Sequence, residues 1–512
     1  MHRFERQTSG LRSFRPAAYS RRDDVPYEPQ SAHRFRPPAR WAAGGGQSNP
    51  PFHVPADPPA CSPPSFHLVN LIQITPGAGG MYCGNCLRDN ALVAELRHRG
   101  HHAVLLPMYL PLNLDERDES AGSPIFFGGV SVYLEQKLPI FRRAPDWLRR
   151  WLASPALLRW ATGRAAKTRP EEVGELTISM LRGEEGNQAR ELTELIGWLK
   201  TQTRPDWVCL SNALLVGLTR QLKRDLGTRV VCQLGGEDAF LDSLPAASRD
   251  VAWHTLAGRA RDVDLFIAPS RYFADLMSRR LNLSSDQVRV LPNGINLDGY
   301  ETGGAPPPPP GFDLRHPDSG PRPAAPPALG YFARMCHEKG LDTLVEAYLL
   351  LRQRDRVKDL KLHVGGSLGP NDEPFVNGLR ARLQAAGVSG HVEFHPNLER
   401  QAKLAFLRSL TVFSVPALYG EAFGLYLIEA IAAGVPVVQP RHAAFPEIVE
   451  ATGGGVLCEP GDPAALAAAI EELLLDPARA RALGEAGRKA VAQEYSIGRM
   501  AERMLALLAP AF

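Results

Sequence analysis

No stretch of about 18 consecutive apolar residues occurs in the 512-residue chain, so no segment is expected to span a membrane. The N-terminus also lacks the apolar core of a secretory signal. An excess of one charge is missing: 58 Lys and Arg against 55 Asp and Glu leave a net +3, too little to argue for nucleic acid or an acidic polymer as partner. Cysteine is scarce. Seven scattered residues, an odd number, fit a reducing cytoplasm better than a disulfide framework. Neither half carries a clean GxGxxG with its acidic partner, which argues against a dinucleotide oxidoreductase.

What is present is globular: 44% apolar and 22% charged residues, on a chain long enough for two α/β domains plus tails. Residues 1–64 hold nine Arg against five acidic residues, with Pro, Gly and Ser and no sustained period, and are expected to be a disordered extension. The first core strand is Phe66–Ile74, followed by a glycine loop through Gly77, Gly79, Gly80 and Gly84, a helix to His98 and a second strand, Ala103–Pro107. A glycine turn at the carboxyl end of strand one is where open parallel sheets bind ligands. Cys83-Gly-Asn-Cys86 opens the helix, where a thiol would have a lowered pKa; it reads either as redox chemistry or as small residues packing a turn. Zinc would need a second ligand pair at short spacing, which is not visible, so no metal is assigned.

Residues 139–200 read as a helical insertion. Between 142 and 169 Arg and Lys interleave with Trp147, Trp151, Trp160 and several Leu, and only Asp146 is acidic. Such a basic, Trp-bearing segment suits an anionic membrane surface; the alternative is a helix docked on its own domain with solvated Arg. The sheet resumes at 206–210 and 229–234, and the polar loop Gln233-Leu-Gly-Gly-Glu237-Asp238 follows. Glu237 and Asp238 read either as substrate contacts or as caps of the next helix. The first domain is placed at 65–300, and a Pro-rich linker with five consecutive prolines at 301–327. A second α/β domain is placed at 328–494 and a last apolar helix at 495–512.

The second half carries the chemistry. Arg334 and Lys339-Gly340 stand at the end of its first strand, where two cations would converge on a diphosphate, one as a fork and one as a point charge. Further on, Glu421-Ala-Phe423-Gly424-Leu425 leads into an apolar helix that contains Glu429, whose charge needs a hydrogen-bonding partner there. Gly424 opens that helix, and free first-turn amides make an anion site. Cations and a helix terminus for phosphates, with carboxylates for sugar hydroxyls, fit a nucleotide sugar.

These pieces, with the Glu-x7-Glu spacing of Glu421 and Glu429, Gly434-Val-Pro-Val437, Pro292-Asn293-Gly294 and Gly79-Gly80, resemble the retaining glycosyltransferases of family 4 over roughly 66–500. The resemblance implies the GT-B fold, two Rossmann-like domains facing across a cleft, and transfer of a hexose from a nucleotide-diphosphate sugar to a hydroxyl acceptor. It implies that Arg334 and Lys339 hold the donor diphosphate, that Glu421 contacts the hexose, and that amides near Phe423, Gly424 and Leu425 reach the phosphates. Glu429 would accept from the ribose, and Gly79 and Gly80 would let their loop approach the donor. No cofactor is implied beyond the co-substrate. Many relatives carry a His before a Gly-x-Asp in the first domain; this chain has Gln233, Glu237 and Asp238 there, which become the candidates for that contact. The terminal helix resembles one that crosses back to the first domain. Location is expected to be cytoplasmic, with peripheral contact at the inner face of the membrane through 142–169.

Overall fold

The computed structural model describes residues 68–77, 83–127, 170–300 and 326–509. The extension 1–64, Gly79 and Gly80, the basic segment 142–169 and residues 301–325 of the Pro-rich run lie outside the described residues.

Short, nearly continuous apolar runs build two parallel sheets, the pattern of strands buried on both faces. The first sheet contains β1 (Asn70–Thr75), β2 (His102–Pro107), β3 (Trp207–Leu210), β4 (Arg229–Gln233), β5 (Leu265–Ala268) and β6 (Val288–Val290), ordered β2-β1-β3-β4-β5-β6. Ile72 of β1 pairs with Val104 on one side and Val208 on the other. Its helices are α1 (Gly84–His98), α2 (Pro170–Arg182), α3 (Ala189–Leu199), α4 (Thr219–Leu226), α5 (Glu237–Asp242), α6 (Ala246–Ala260) and α7 (Arg271–Leu281).

The second half alternates more regularly, from β7 (Ala328–Phe332) and α8 (Leu341–Arg354) to β8 (Lys361–Gly366), α9 (Glu373–Ala385), β9 (Val392–Pro396) and α10 (Arg400–Arg408). It continues through β10 (Val412–Phe413), α11 (Leu425–Ala432), β11 (Val437–Pro440), α12 (Phe445–Thr452) and β12 (Gly455–Cys458). Helices α13 (Pro463–Leu475), α14 (Pro477–Glu494) and α15 (Ile497–Leu508) complete the described chain. The strand order is β12-β11-β10-β7-β8-β9, so the winding reverses between β7 and β10. Ligands of open parallel sheets sit at such a switch point, outside the carboxyl ends of the strands.

Within the stretch 139–200, read as a helical insertion, residues 170–199 form helices whose Leu181, Leu192, Leu195, Ile196 and Leu199 are buried in the core that covers the first sheet. Two elements differ from the sequence expectation. The polar stretch after β4 forms the short helix α5, and Phe445–Thr452, with Pro446 in its first turn, forms α12. Both short helices escape a reading by period because eight residues or fewer span barely two turns.

The described residues all belong to one compact unit. Met500, Ala501, Met504 and Leu508 of α15 pack with Leu71, Leu92, Val93 and Leu96 against the first sheet, and Trp207 Nε1 donates to the Leu508 carbonyl at 2.9 Å. Each fully buried Leu in this seam contributes about 1.5–3 kcal/mol. The two strands of chain that pass between the halves pair with each other: Ile295 N donates to Tyr495 O at 2.9 Å and Ile497 N to Ile295 O at 2.8 Å. Among the described residues no helix is long and apolar enough to cross a membrane.

Candidate active site

The two loops at the second switch point touch. Gly340, just after Lys339, has φ +70°, and a Cβ there would lie 2.0 Å from the Pro416 carbonyl oxygen, so only glycine allows this approach. Leu418 N donates to Glu338 O at 3.0 Å and closes the contact. The approach brings Lys339 Nζ to 2.5 Å from Glu421 Oε2. The same oxygen accepts from Tyr426 Oη at 2.7 Å and Tyr419 Oη at 3.1 Å, and Lys339 also hydrogen-bonds the Tyr419 hydroxyl. Burial opposes ionisation of Glu421, but the Lys339 ammonium and the two phenols outweigh it and hold the carboxyl below its ordinary range. Gly424, at φ +89°, then turns the chain into α11, whose first residues, Leu425 and Tyr426, line the cleft.

Arg334 makes a fork to Asp372, with Nε–Oδ2 and Nη2–Oδ1 both 2.9 Å, while remaining half exposed at the cleft. Glu429, on the next turn of α11, finds its partner in Lys403 of α10 at 3.0 Å. Lys403 in turn reaches Asp115 of the first half at 2.6 Å. Burial disfavours its charge, but Glu429 and Asp115 outweigh that cost and keep it an ammonium. Beside it Arg400 Nη1 donates to Glu116 at 2.7 Å. One α10 face therefore holds two carboxylates of the first half.

Arg334, Arg400, Lys403, Tyr426 and Glu429 line a cleft of about 1000 Å³, open to solvent, with walls from both halves, and Tyr426 joins it to the Glu421 cluster. Gly84, Leu87 and Arg88 of α1 and Asp115 and Glu116 face Arg334, Ser367, Asn397, Lys403, Leu425 and Glu429. Arg88 is itself buried, donating to Asp89 Oδ1 at 2.7 Å and Ser211 O at 3.0 Å.

The first-half candidates divide. Glu237 is spent on structure: it accepts from Ala213 N at 2.7 Å and Gly235 N at 2.8 Å, bracing the loops after β3 and β4. Of the two readings left open for this residue, substrate contact or cap, the described contacts are structural, and burial raises its pKa. Asp238 is buried with Oδ1 lacking a partner, and its charge acts on Tyr419 of the Glu421 cluster. Gln233 is 2% exposed and both its amide atoms lack partners.

Among the residues singled out in the sequence, Lys339 joins Glu421, while Arg334, Leu425 and Glu429 share the cleft. The Phe423 ring packs in the core of the second half, so only its backbone is available to a ligand. Asp372, Lys403, Asp115 and Tyr426 were not singled out. Lys403 alone had a signal: a Lys on a buried helix face, three positions after Arg400, demands a carboxylate.

Two parallel six-stranded sheets with a ligand-sized cleft between them are the architecture called GT-B. The comparisons agree. The family described as "Glycosyl transferases group 1" matches residues 315–490, and "Glycosyltransferase Family 4" matches 163–298. The chain is 29% identical, over 64% of its length and 80% of the relative's, to a GDP-mannose-dependent alpha-(1-6)-phosphatidylinositol monomannoside mannosyltransferase of Mycolicibacterium smegmatis. It is 31% identical to a D-inositol 3-phosphate glycosyltransferase of Xylanimonas cellulosilytica, over 48% of this chain. With a phosphatidyl-myo-inositol mannosyltransferase of Mycobacterium leprae it shares 32% identity over 41% of this chain. Of these last two it spans only 57% and 50% of the relative's own length. Among solved structures, sucrose-phosphate synthase from Thermosynechococcus elongatus superposes with a TM-score of 0.57 at 20% identity, covering 86% of this chain and 98% of that one. Anabaena HepE in complex with UDP gives 0.57 at 15%, covering 86% and 99%. The chain belongs to glycosyltransferase family 4, and is an enzyme of the glycosyltransferase class.

Proposed function

We propose that this enzyme is a retaining hexosyltransferase that moves a hexose from a nucleotide-diphosphate sugar to a hydroxyl acceptor. The observation that carries the reading is the Lys339–Glu421 pair at the switch point of the second sheet, joined through Tyr426 at the start of α11 to the cleft that Arg334 and Glu429 line. Arg334 and Lys339 would bind the diphosphate together with the first amides of α11 near Phe423, Gly424 and Leu425. Glu429 would accept from the ribose hydroxyls. Glu421, held ionised, would accept from the hexose and favour positive charge at its anomeric carbon.

In the transfer, the bond from the anomeric carbon to the diphosphate oxygen breaks and a bond to the acceptor oxygen forms on the same face. The acceptor proton passes to the departing phosphate oxygen. The two cations neutralise the charge that develops on the diphosphate, so the reaction needs no metal in this reading. Asp238, whose unpartnered buried oxygen belongs to a charge that acts on Tyr419 of the Glu421 cluster, and Gln233, whose buried amide atoms lack partners, are proposed as the first-half contacts to the sugar.

The donor class is supported by the GDP-mannose dependence of one relative and by the UDP bound to HepE. The acceptor side is left as a hydroxyl compound. The reading also places the enzyme in the cytoplasm, with peripheral contact to anionic membrane through 142–169. A thermal-shift panel of nucleotide sugars would name the donor, since a ligand of the folded state raises its stability by mass action. Turnover with that donor, run with a chelator and read by the anomeric NMR signal of the product, tests the chemistry. The expected product keeps the donor's anomeric configuration; an inverted product, free sugar alone, or no shift with any donor would overturn the proposal.

A further inference from the structure

The thiols of Cys83 and Cys86 take no part in the reading above. Cys83 is the residue before α1, in extended backbone at φ −120° and ψ 119°, and its carbonyl accepts from Leu87 N at 3.0 Å. Cys86 therefore lies in the first turn, three positions on, where side chains share a face with Cβ atoms about 5–6 Å apart. A disulfide holds its Cβ atoms roughly 3.5–4.5 Å apart, so closing one draws the two together by about 1–2 Å.

The two sulfurs occupy different surroundings. Cys86 is 1% exposed, with the Thr75 hydroxyl donating to its Sγ at 3.7 Å; Cys83 is only half-buried. The Cys86 thiol donates to the Cys83 sulfur, and with the Asn85 and Cys86 amides it holds Cys83 at about 6, although burial and Asp89 push the other way. Cys86 is pushed well above the ordinary thiol range by the same hydrogen bond and by burial. Among the other described cysteines, burial raises Cys209 and Cys232, and Cys336 and Cys458 are each raised to about 11. One accessible nucleophile beside one protonated, buried thiol is the asymmetry of a working dithiol.

We propose that Cys83 and Cys86 form a redox-active dithiol that a low-molecular-weight disulfide converts to an intramolecular disulfide. The Cys83 thiolate attacks one sulfur of the small disulfide, whose S–S bond breaks and releases one thiolate. Cys86 then gives up its proton and attacks the Cys83 sulfur of the mixed disulfide, releasing the second small thiol. Two electrons pass from the protein to the small disulfide, and a thiol reductant reverses both steps.

The pair sits behind a wall of the cleft. Gly84, between the two cysteines, lines it, and a Cβ on Gly84 would lie 3.3 Å from Leu425 Cδ1 of the opposite half. Oxidation draws the Cys86 sulfur away from Thr75 and tightens the turn that carries Gly84, Leu87 and Arg88. The site stands on the thiols alone, independent of the donor assigned above.

The test equilibrates the full-length protein with mixtures of reduced and oxidised glutathione, blocks free thiols and maps the peptides by mass. A Cys83–Cys86 disulfide that forms and is reversed by dithiothreitol is the expected result. In Cys86→Ser a glutathione adduct should persist on Cys83, and in Cys83→Ser neither adduct nor disulfide should appear on Cys86. In the wild-type protein, iodoacetamide at neutral pH should label Cys83 at least roughly tenfold faster than Cys458. That measurement stands even where a variant fails to fold. Cys83 labelling no faster than Cys458, a disulfide to any other cysteine, or none across the series would overturn the proposal.

Discussion

Lys339 and Glu421 are 82 residues apart in the chain, yet Nζ of one lies 2.5 Å from Oε2 of the other. The contact exists because β7 and β10 are neighbours in the sheet, and because Gly340 lets the loop after β7 pass against the Pro416 carbonyl. The pair is nearly buried, and the Lys339 ammonium helps hold the Glu421 carboxyl below its ordinary range before any substrate arrives. A diphosphate entering beside it would meet a preformed ammonium and needs only to share it.

Replacing Arg334 or Lys339 by Ala should lower kcat/KM by about 10²–10³, the range seen when one donor to a developing anion is removed. Lys339→Ala also strands a buried carboxylate, which costs about 3–5 kcal/mol of stability. Adding Glu421→Gln should recover the stability, read by urea unfolding, but not the turnover. Full activity in either cation variant would exclude these residues from the site.

Glu421 sets an acid limit. Its folded pKa lies below the ordinary value of 4.5, so the stability from its pairing is fully present above that value. It is lost as pH falls through the depressed folded value. The melting temperature of the wild-type protein should therefore fall across the acidic range more steeply than that of Glu421→Gln. Parallel curves would show that the pairing contributes nothing to the folded state.

Lys403 joins the halves through Asp115 and Glu429, so Lys403→Met should leave two carboxylates facing one another and open the cleft. Small-angle scattering should record a larger radius of gyration, and Asp115→Asn in the same chain should reduce the change. The departure from additivity is the coupling between the two residues. Glu429→Gln should act differently, raising KM for the donor with a smaller effect on kcat. An unchanged donor KM would remove Glu429 from the ribose role.

The basic, Trp-bearing segment 142–169 gives a separate test. Liposome flotation of the full-length protein should require anionic lipid and disappear when Arg142, Arg143, Arg149 and Arg150 are replaced by Ser. Flotation with neutral lipid, or its persistence in the variant, would count against the membrane reading.

Much of the fold was legible from local pattern. The apolar runs at 265–268 and 455–458 and the helix at 463–475 lie where their composition puts them, because burial on both faces and a cap before an apolar stripe are properties of a few adjacent residues. At 170–199 the helices were legible but not their packing, because an amphipathic helix looks the same whether its apolar face meets the main sheet or an appendage. The Glu237–Asp242 helix was missed since six residues carry no readable period.

For the site, sequence alone determined which groups are available and that they fall at the carboxyl ends of strands: Arg334 and Lys339 after one, Glu421 and Glu429 after another. It also required that a carboxylate inside an apolar helix have a partner, since an unpaired charge there is too costly. Which partner was decided only by the tertiary structure. Asp372 takes Arg334, Lys403 takes Glu429 and Asp115 together, and Glu237 is drawn away to the amides of Ala213 and Gly235. Ion pairs and hydrogen bonds act over about 3 Å. Their choice of partner therefore depends on the order of the strands and the approach of the two halves, which a linear pattern does not contain.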